Sequence, residues 1–240
     1  MSGEQQGLFA PEAPQAPRRQ YTLSPSEFGF LWQECKRCYY LKVTQKFARP
    51  GVFPKIFTAI DNQMRQRFEG QRTEKVAPDL PPGVFDCRDQ WVASSPIAIP
   101  GRNSLCIVRG KIDALVRFDN GGFAVVDFKT SSQSDRNVAT YTRQLSAYAY
   151  ALENAPVGQT ALRPVQRLGL LVFDPKQFLS EKGGAELKGS LTWAEIPRDD
   201  AAFLKFLEEV MTVLDLPAAP PPTSGCAWCA YREAARQNLY

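Results

Sequence analysis

Gly110-Lys-Ile-Asp-Ala-Leu-Val-Arg-Phe118, followed by Asp119-Asn120-Gly121 and then Gly122-Phe-Ala-Val-Val-Asp-Phe-Lys-Thr130, decides how this chain is read. Two apolar-rich runs around an Asp-Asn-Gly turn signal a β-hairpin. Pairing Phe118 with Phe123 would mix polar and apolar side chains on both faces. A three-residue loop, with Gly121 left-handed and forming a bulge, pairs Phe118 with Gly122 instead. Asp113 then stands opposite Asp127 and Leu115 opposite Val125. The other face carries Ile112, Ala114, Val116 and Phe118 against Ala124, Val126 and Phe128, all apolar. A one-residue slip turns every side chain over, so the sorted pattern selects this register.

The register sets two carboxylates against each other, which a sheet normally avoids. A cation between Asp113 and Asp127 would relieve them, and a hard divalent ion suits carboxylate oxygens. Lys129 shares the face of Asp127, and Lys111 is expected to face Lys129, a pair that a phosphate would satisfy. A bound water, oriented with help from Lys129, could attack phosphorus. The plainer readings are a structural Asp-x-Lys at a strand end and an Asp113–Arg117 pair along one strand face. The helix expected over about 137–153 puts Gln144 and Tyr148 four apart on one face. They are either site residues or, for Tyr148, part of a core stripe with Tyr141, Leu145 and Leu152.

The 240 residues and 44% hydrophobic content suit one domain with appendages. A net charge of +4 permits a nucleic-acid partner without requiring one. The complete lack of histidine excludes His-dependent triads and His-ligated zinc hydrolases. No apolar run is long enough for a membrane helix and no signal-peptide core stands at the N-terminus, so the chain is expected to be cytoplasmic, with no membrane partner. Residues 1–20 read as a disordered tail and 21–240 as one α/β domain. Ser24-Pro25-Ser26-Glu27 reads as a capping box opening a helix. Further helices are expected over about 54–69 and 200–214, and strands over 104–118, 122–129, 167–173 and 191–196.

Six cysteines divide into two C-x-x-C pairs, Cys35/Cys38 and Cys226/Cys229, and two isolated residues, Cys87 and Cys106. The pairs can supply four thiolates to one structural metal centre, zinc or iron–sulfur. A redox-active C-x-x-C is the alternative. Cys87 and Cys106 read as small buried hydrophobes. Lys36, Arg37, Tyr39, Tyr40, Lys42 and Lys46 around the first pair could track a nucleic-acid strand, or form a solvated basic helix end.

Gly110-x-Ile-Asp113, Asp127-Phe-Lys129 and Gln144-x-x-x-Tyr148, in this order and spacing, resemble the RecB-like branch of the PD-(D/E)XK nuclease superfamily. The resemblance spans roughly residues 23–231. It implies a restriction-endonuclease-like core, a small mixed sheet flanked by helices, and metal-dependent hydrolysis of DNA phosphodiesters. It also implies that Asp113, Asp127 and the Phe128 carbonyl bind Mg²⁺ or Mn²⁺, that Lys129 positions or activates the nucleophile, and that Gln144 and Tyr148 complete the motif. Many such nucleases carry a His ligand on the leading helix; Asp61 is the nearest counterpart here, either as a third ligand or as an i,i+4 partner of Arg65. Helicase–nuclease and CRISPR-associated members often join their termini with an iron–sulfur cluster, usually through one N-terminal and three C-terminal cysteines. The two-and-two division here departs from that pattern. A [4Fe–4S] cluster, with zinc as the alternative, and a helicase or CRISPR-type partner are therefore what the likeness implies, in DNA repair, recombination or CRISPR-type processing. A catalytically impaired nucleic-acid-binding module is the competing function, and a thiol redox protein a third.

Overall fold

In a computed structural model, which describes residues 18–51, 54–88, 90–130 and 135–237, the hairpin takes the sorted register. Ala114 pairs with Val126, Leu115 with Val125 and Val116 with Ala124. The Phe118 N–H donates to the Gly122 carbonyl (2.8 Å), and Gly121 turns the chain at φ +85°, a conformation that glycine adopts without steric cost.

The described elements run β1 (Gln20–Leu23), α1 (Pro25–Gly29), α2 (Leu31–Glu34), α3 (Lys36–Gln45), α4 (Lys55–Phe68), α5 (Thr73–Val76), β2 (Gly83–Asp86), β3 (Gln90–Ala93) and β4 (Ile97–Ala98). There follow β5 (Leu105–Ile112), β6 (Ala114–Phe118), β7 (Phe123–Thr130), α6 (Asp135–Glu153), β8 (Val165–Glu181), β9 (Gly184–Glu195), α7 (Asp200–Leu214) and α8 (Ala227–Gln237). They build a mixed α/β fold of two curled sheets flanked by helices. One sheet has β5 between β1 and β3, with β4 also on β5; the other has the order β2-β6-β7-β8-β9. β7 and β8 are parallel, so α6 forms the crossover that parallel strands require.

Two expectations need correction. The single strand over 104–118 breaks at Asp113: β5 and β6 enter different sheets. Ile112 therefore joins the larger core, with Val108, Tyr148 and Leu207, while Ala114, Val116 and Phe118 pack in the smaller core with Met64, Phe85 and Phe128. The break puts two apolar side chains, one on each side of Asp113, into two different interiors. The Ser24 capping box does not form. Ser24 makes no side-chain cap: its hydroxyl meets that of Ser26 (3.1 Å), Glu27 pairs with Lys42, and α1 lasts five residues. Of the tail expected over 1–20, Gln20 opens β1, which pairs in parallel with β5; residues 1–17 lie outside the described residues.

α7 occupies its expected span, with Phe203, Leu207, Val210, Met211 and Leu214 buried. Asp199 caps it, accepting the Ala202 N–H (2.8 Å), a bond worth about 1 kcal/mol. Phe206 joins this stripe and meets Phe28 of α1 edge-on at 5.1 Å. α6 buries Leu145, Ala147, Ala149 and Leu152 completely, and its alanines let the helix lie close to the strands. β8 and β9 extend well past their expected spans into an exposed arm that turns at Gly183.

Candidate active site and thiolate cluster

The break between β5 and β6 frees Asp113 from the sheet ladder and lets its side chain reach β7. Its Oδ2 accepts the N–H of Phe128 (3.0 Å), the peptide unit immediately after Asp127. The two acidic residues thus lie side by side at the end of the hairpin, as the register predicted. Asp127 is 5% exposed. Its Oδ1 accepts a hydrogen bond from Gln144 Nε2 (2.7 Å), while Lys129 forms an ion pair with Oδ2. Lys129 Nζ also lies 4.8 Å from the Tyr141 ring centre.

Burial, and then the charge of Asp127, push the Asp113 carboxyl up to about 6, although Lys129 and Arg65 pull the other way. Burial opposes the Lys129 charge, but Asp127, Tyr141 and Asp113 outweigh it and hold the ammonium above its ordinary value. Burial raises the Tyr148 hydroxyl, with the two aspartates adding to the effect. Gly110 is what admits that ring: a Cβ there would stand 2.9 Å from Tyr148 Cε1 and 2.9 Å from Pro25 Cδ.

Asp113, Asp127, Lys129, Gln144 and Tyr148 line one open cavity of about 720 Å³. Asp61 lies in an adjoining cavity of about 510 Å³, which shares Asp113 and Lys129 with the first. Arg65 connects the two acids: its Nε donates to Asp61 Oδ2 (2.8 Å) and its Nη2 pairs with Asp113 Oδ1. Among the described residues no three carboxylates bring oxygens within 4.8 Å of one another. The spacing of Asp61 and Arg65 was legible, but not that the arginine reaches Asp113. Arg117 lies over the Phe123 ring at 5.3 Å, so Asp113 does not take the Arg117 pairing. Lys111 does not face Lys129 across the hairpin; it is the cross-strand partner of Trp91, though it lines the same cavity.

A buried carboxylate beside a half-buried carboxyl group, the latter raised by burial and by its neighbour's charge, forms the kind of oxygen-rich donor set that suits a hard divalent cation. The family model of the PD-(D/E)XK nuclease superfamily matches residues 42–234. This chain belongs to the PD-(D/E)XK nuclease superfamily. A solved structure titled "Crystal structure of SSO0001" is similar with a TM-score of 0.46 at 17% identity, covering 91% of this chain and 87% of that one. No curated protein matches.

The PD-(D/E)XK match leaves Cys35 and Cys38 outside its span, yet the fold brings them onto Cys226 and Cys229. Tyr40 donates to the Leu216 carbonyl (3.1 Å) and Arg37 to that of Pro220 (3.1 Å), strapping the proline-rich spacer over α3. The four thiols then converge, with sulfurs 3.8 Å apart for Cys35–Cys229, 3.8 Å for Cys38–Cys226 and 3.6 Å for Cys38–Cys229. Cys35 caps α3 and Cys226 directly precedes α8, so each pair straddles a helix N-terminus, where partial positive charge favours thiolates. Burial disfavours ionisation of Cys35, but the backbone N–H groups of Thr223 and Cys38 and the neighbouring thiols outweigh it, lowering Cys35 to about 6. Burial, with the competing thiols, pushes Cys229 up to about 12. Arg232 Nη2 lies 3.2 Å from Cys38 Sγ, a cation beside an anionic centre. These residues suit a thiolate-bound metal, zinc or iron–sulfur. Cys87 and Cys106 are buried, and burial raises each to about 12. Tyr39 and Tyr40 are buried as well and offer no stacking surface.

Proposed function

We propose that this protein is a metal-dependent deoxyribonuclease that hydrolyses phosphodiester bonds. The observation that carries this reading is the Asp113–Phe128 hydrogen bond, which sets Asp113 beside Asp127 with Lys129 in the same open cavity. Asp113, Asp127 and the Phe128 carbonyl would hold Mg²⁺ or Mn²⁺, which supplies Lewis-acid neutralisation of charge on the phosphate. Gln144 anchors Asp127 through Oδ1, and Oδ2, paired with Lys129, would turn to the metal. Lys129, fully charged, orients the attacking water or a non-bridging phosphate oxygen. Tyr148 keeps its proton at neutral pH and donates it as a hydrogen bond. Asp61 is the further candidate ligand, reached once Arg65 turns from it to the phosphate.

Lys129→Ala should lower Mg²⁺- or Mn²⁺-dependent cleavage by about 100- to 10,000-fold, the range for a positioned acid–base group, while DNA binding persists. Cleavage at the wild-type rate in that variant would refute the assignment. The Arg65 bridge favours one competing reading, an impaired nucleic-acid-binding module; wild-type protein that binds DNA but cuts it with neither metal would establish that instead.

For the thiolates we propose one structural metal centre. Sulfurs 3.6–3.8 Å apart match the edge, about 3.8 Å, of a tetrahedron with 2.3 Å arms, which supports a single ion such as zinc. The RecB-like resemblance supports a [4Fe–4S] cluster, whose four irons would need the sulfurs further apart. Anaerobic purification with metal analysis separates them: one zinc per chain, or four irons with a brown chromophore. From the same resemblance we place the protein in the cytoplasm, in DNA repair, recombination or CRISPR-type processing beside a helicase or CRISPR-type partner. Among the described residues no helix is long and apolar enough to cross a membrane.

A further inference from the structure

Trp91 is 62% exposed, an unusual place for a large aromatic side chain on an edge strand, where an apolar surface invites unwanted pairing. Among the described residues β3 pairs only with β5, and Trp91 stands opposite Lys111. Directly opposed residues share a face of the sheet. Along β5 that face carries Arg109 and Lys111 and leads to Asp113, two residues beyond Lys111 and therefore roughly 7 Å further on. The Arg109 guanidinium lies over the Trp91 ring at 5.2 Å. Trp91 and Arg109 line the 720 Å³ cavity that holds Asp113, Asp127 and Lys129. They also line a second open cavity of about 720 Å³ alongside it. Lys42 and Lys46 line the first cavity too, which gives it five cationic side chains against three carboxylates.

We propose that Trp91, backed by Arg109, is a stacking platform for an unpaired nucleobase, and that the adjoining basic groove takes single-stranded DNA into the site. The class of ligand follows from its chemistry. A groove with surplus cations selects a polyanion, and an open indole face selects a flat aromatic ring. In a duplex each base face is already covered by its neighbours, whereas a single strand presents bases free to stack. The short distance from Trp91 to Asp113 lets one strand place a base on the indole and a nearby phosphate at the carboxylates. The cation over the ring adds attraction without blocking the remaining indole surface. This deepens the nuclease reading by naming its substrate, and rests on that reading only for the identity of the reacting phosphate.

The test is a binding titration by fluorescence anisotropy, in buffer without added divalent cation, using a short fluorescein-labelled oligothymidylate and a blunt hairpin duplex. Trp91→Ala should weaken single-strand binding by about 5- to 150-fold, the loss expected for one stacked base, and leave duplex binding unchanged. Trp91→Phe, which keeps an aromatic face and the apolar strand, should retain most of the affinity. Intrinsic tryptophan fluorescence of the wild type should be quenched by unlabelled oligothymidylate, and that quenching should largely disappear in Trp91→Phe. The proposal is overturned if the wild type ignores the oligonucleotide, if Trp91→Ala binds it undiminished, if both DNA forms are weakened equally, or if quenching persists in Trp91→Phe. A protein that binds through Trp91 yet never cuts would refute the nuclease reading alone. One that cuts in Mg²⁺ while Trp91→Ala binds normally would refute the platform alone.

Discussion

Replacing Asp113 by asparagine should stabilise the protein while abolishing its cleavage, because a pair of carboxylates kept for a cation costs stability without one. Asparagine preserves the shape and keeps an oxygen for the Phe128 N–H, and Arg65 retains Asp61. What disappears is a half-buried negative charge beside Asp127. Burial and Asp127 raise the Asp113 carboxyl from an ordinary 3.8 to about 6. At about 1.4 kcal/mol per pH unit, holding it ionised costs the folded state on the order of 3 kcal/mol. Near pH 4 and below, the group is largely protonated whether the chain is folded or unfolded, and the cost is small. Between about 4 and 6 the unfolded chain releases its proton first, so wild-type stability falls as pH rises, and above that range the whole cost applies. In a chain of this size each kcal/mol moves the melting temperature by about 2–4 °C. Without added Mg²⁺ or Mn²⁺, the variant should therefore melt roughly 6–12 °C above wild type near pH 8, the gap closing towards pH 4. Adding Mg²⁺ should raise the wild-type melting temperature and leave the variant's where it was. A variant that melts at or below wild type near pH 8, or a gap indifferent to pH, would show that the two carboxylates are not in conflict.

Two further outcomes test the frame around the site. Glu153 accepts the Val165 N–H (2.7 Å) and pairs with Arg198. Burial opposes its charge, but Arg198 and that N–H hold the carboxyl below its ordinary value. Glu153→Gln should cost about 1.5–3 kcal/mol in urea unfolding at neutral pH. The wild-type advantage should be full above about pH 4.3 and vanish as the pH falls through the lowered folded value; a constant difference across that range would contradict the charge's role. Cys38→Ser should abolish stoichiometric metal and lower the melting temperature, whereas Cys87→Ser and Cys106→Ser should keep full metal content on elemental analysis. Retention of metal by Cys38→Ser would remove that sulfur from the ligand set.

The hairpin register could be read directly because a strand alternates sides every residue, and only one pairing sorted the apolar side chains. The helix over Asp200–Leu214 was equally legible from its apolar spacing. Both signals are local. The break at Asp113 was not legible, since nothing in the order Ile112-Asp113-Ala114 says that the flanking residues enter two interiors. Arg65 was visible as a neighbour of Asp61 but not as the partner of Asp113, 48 positions away. Trp91 stood in a short segment with no clear periodicity, and its exposure is a property of the assembled sheet.

Residue type and spacing alone established that this chain works without histidine, that two aspartates share a hairpin, and that two cysteine pairs stand near opposite ends. These are matters of composition and short-range geometry, governed by fixed backbone repeats. Tertiary packing decided which groups meet: Arg65 with Asp113, Gln144 with Asp127, and the early cysteines with the late ones. Such encounters join elements distant in sequence, and they depend on how helices and sheets settle against shared cores, a balance of many side chains that no single stretch of the chain contains.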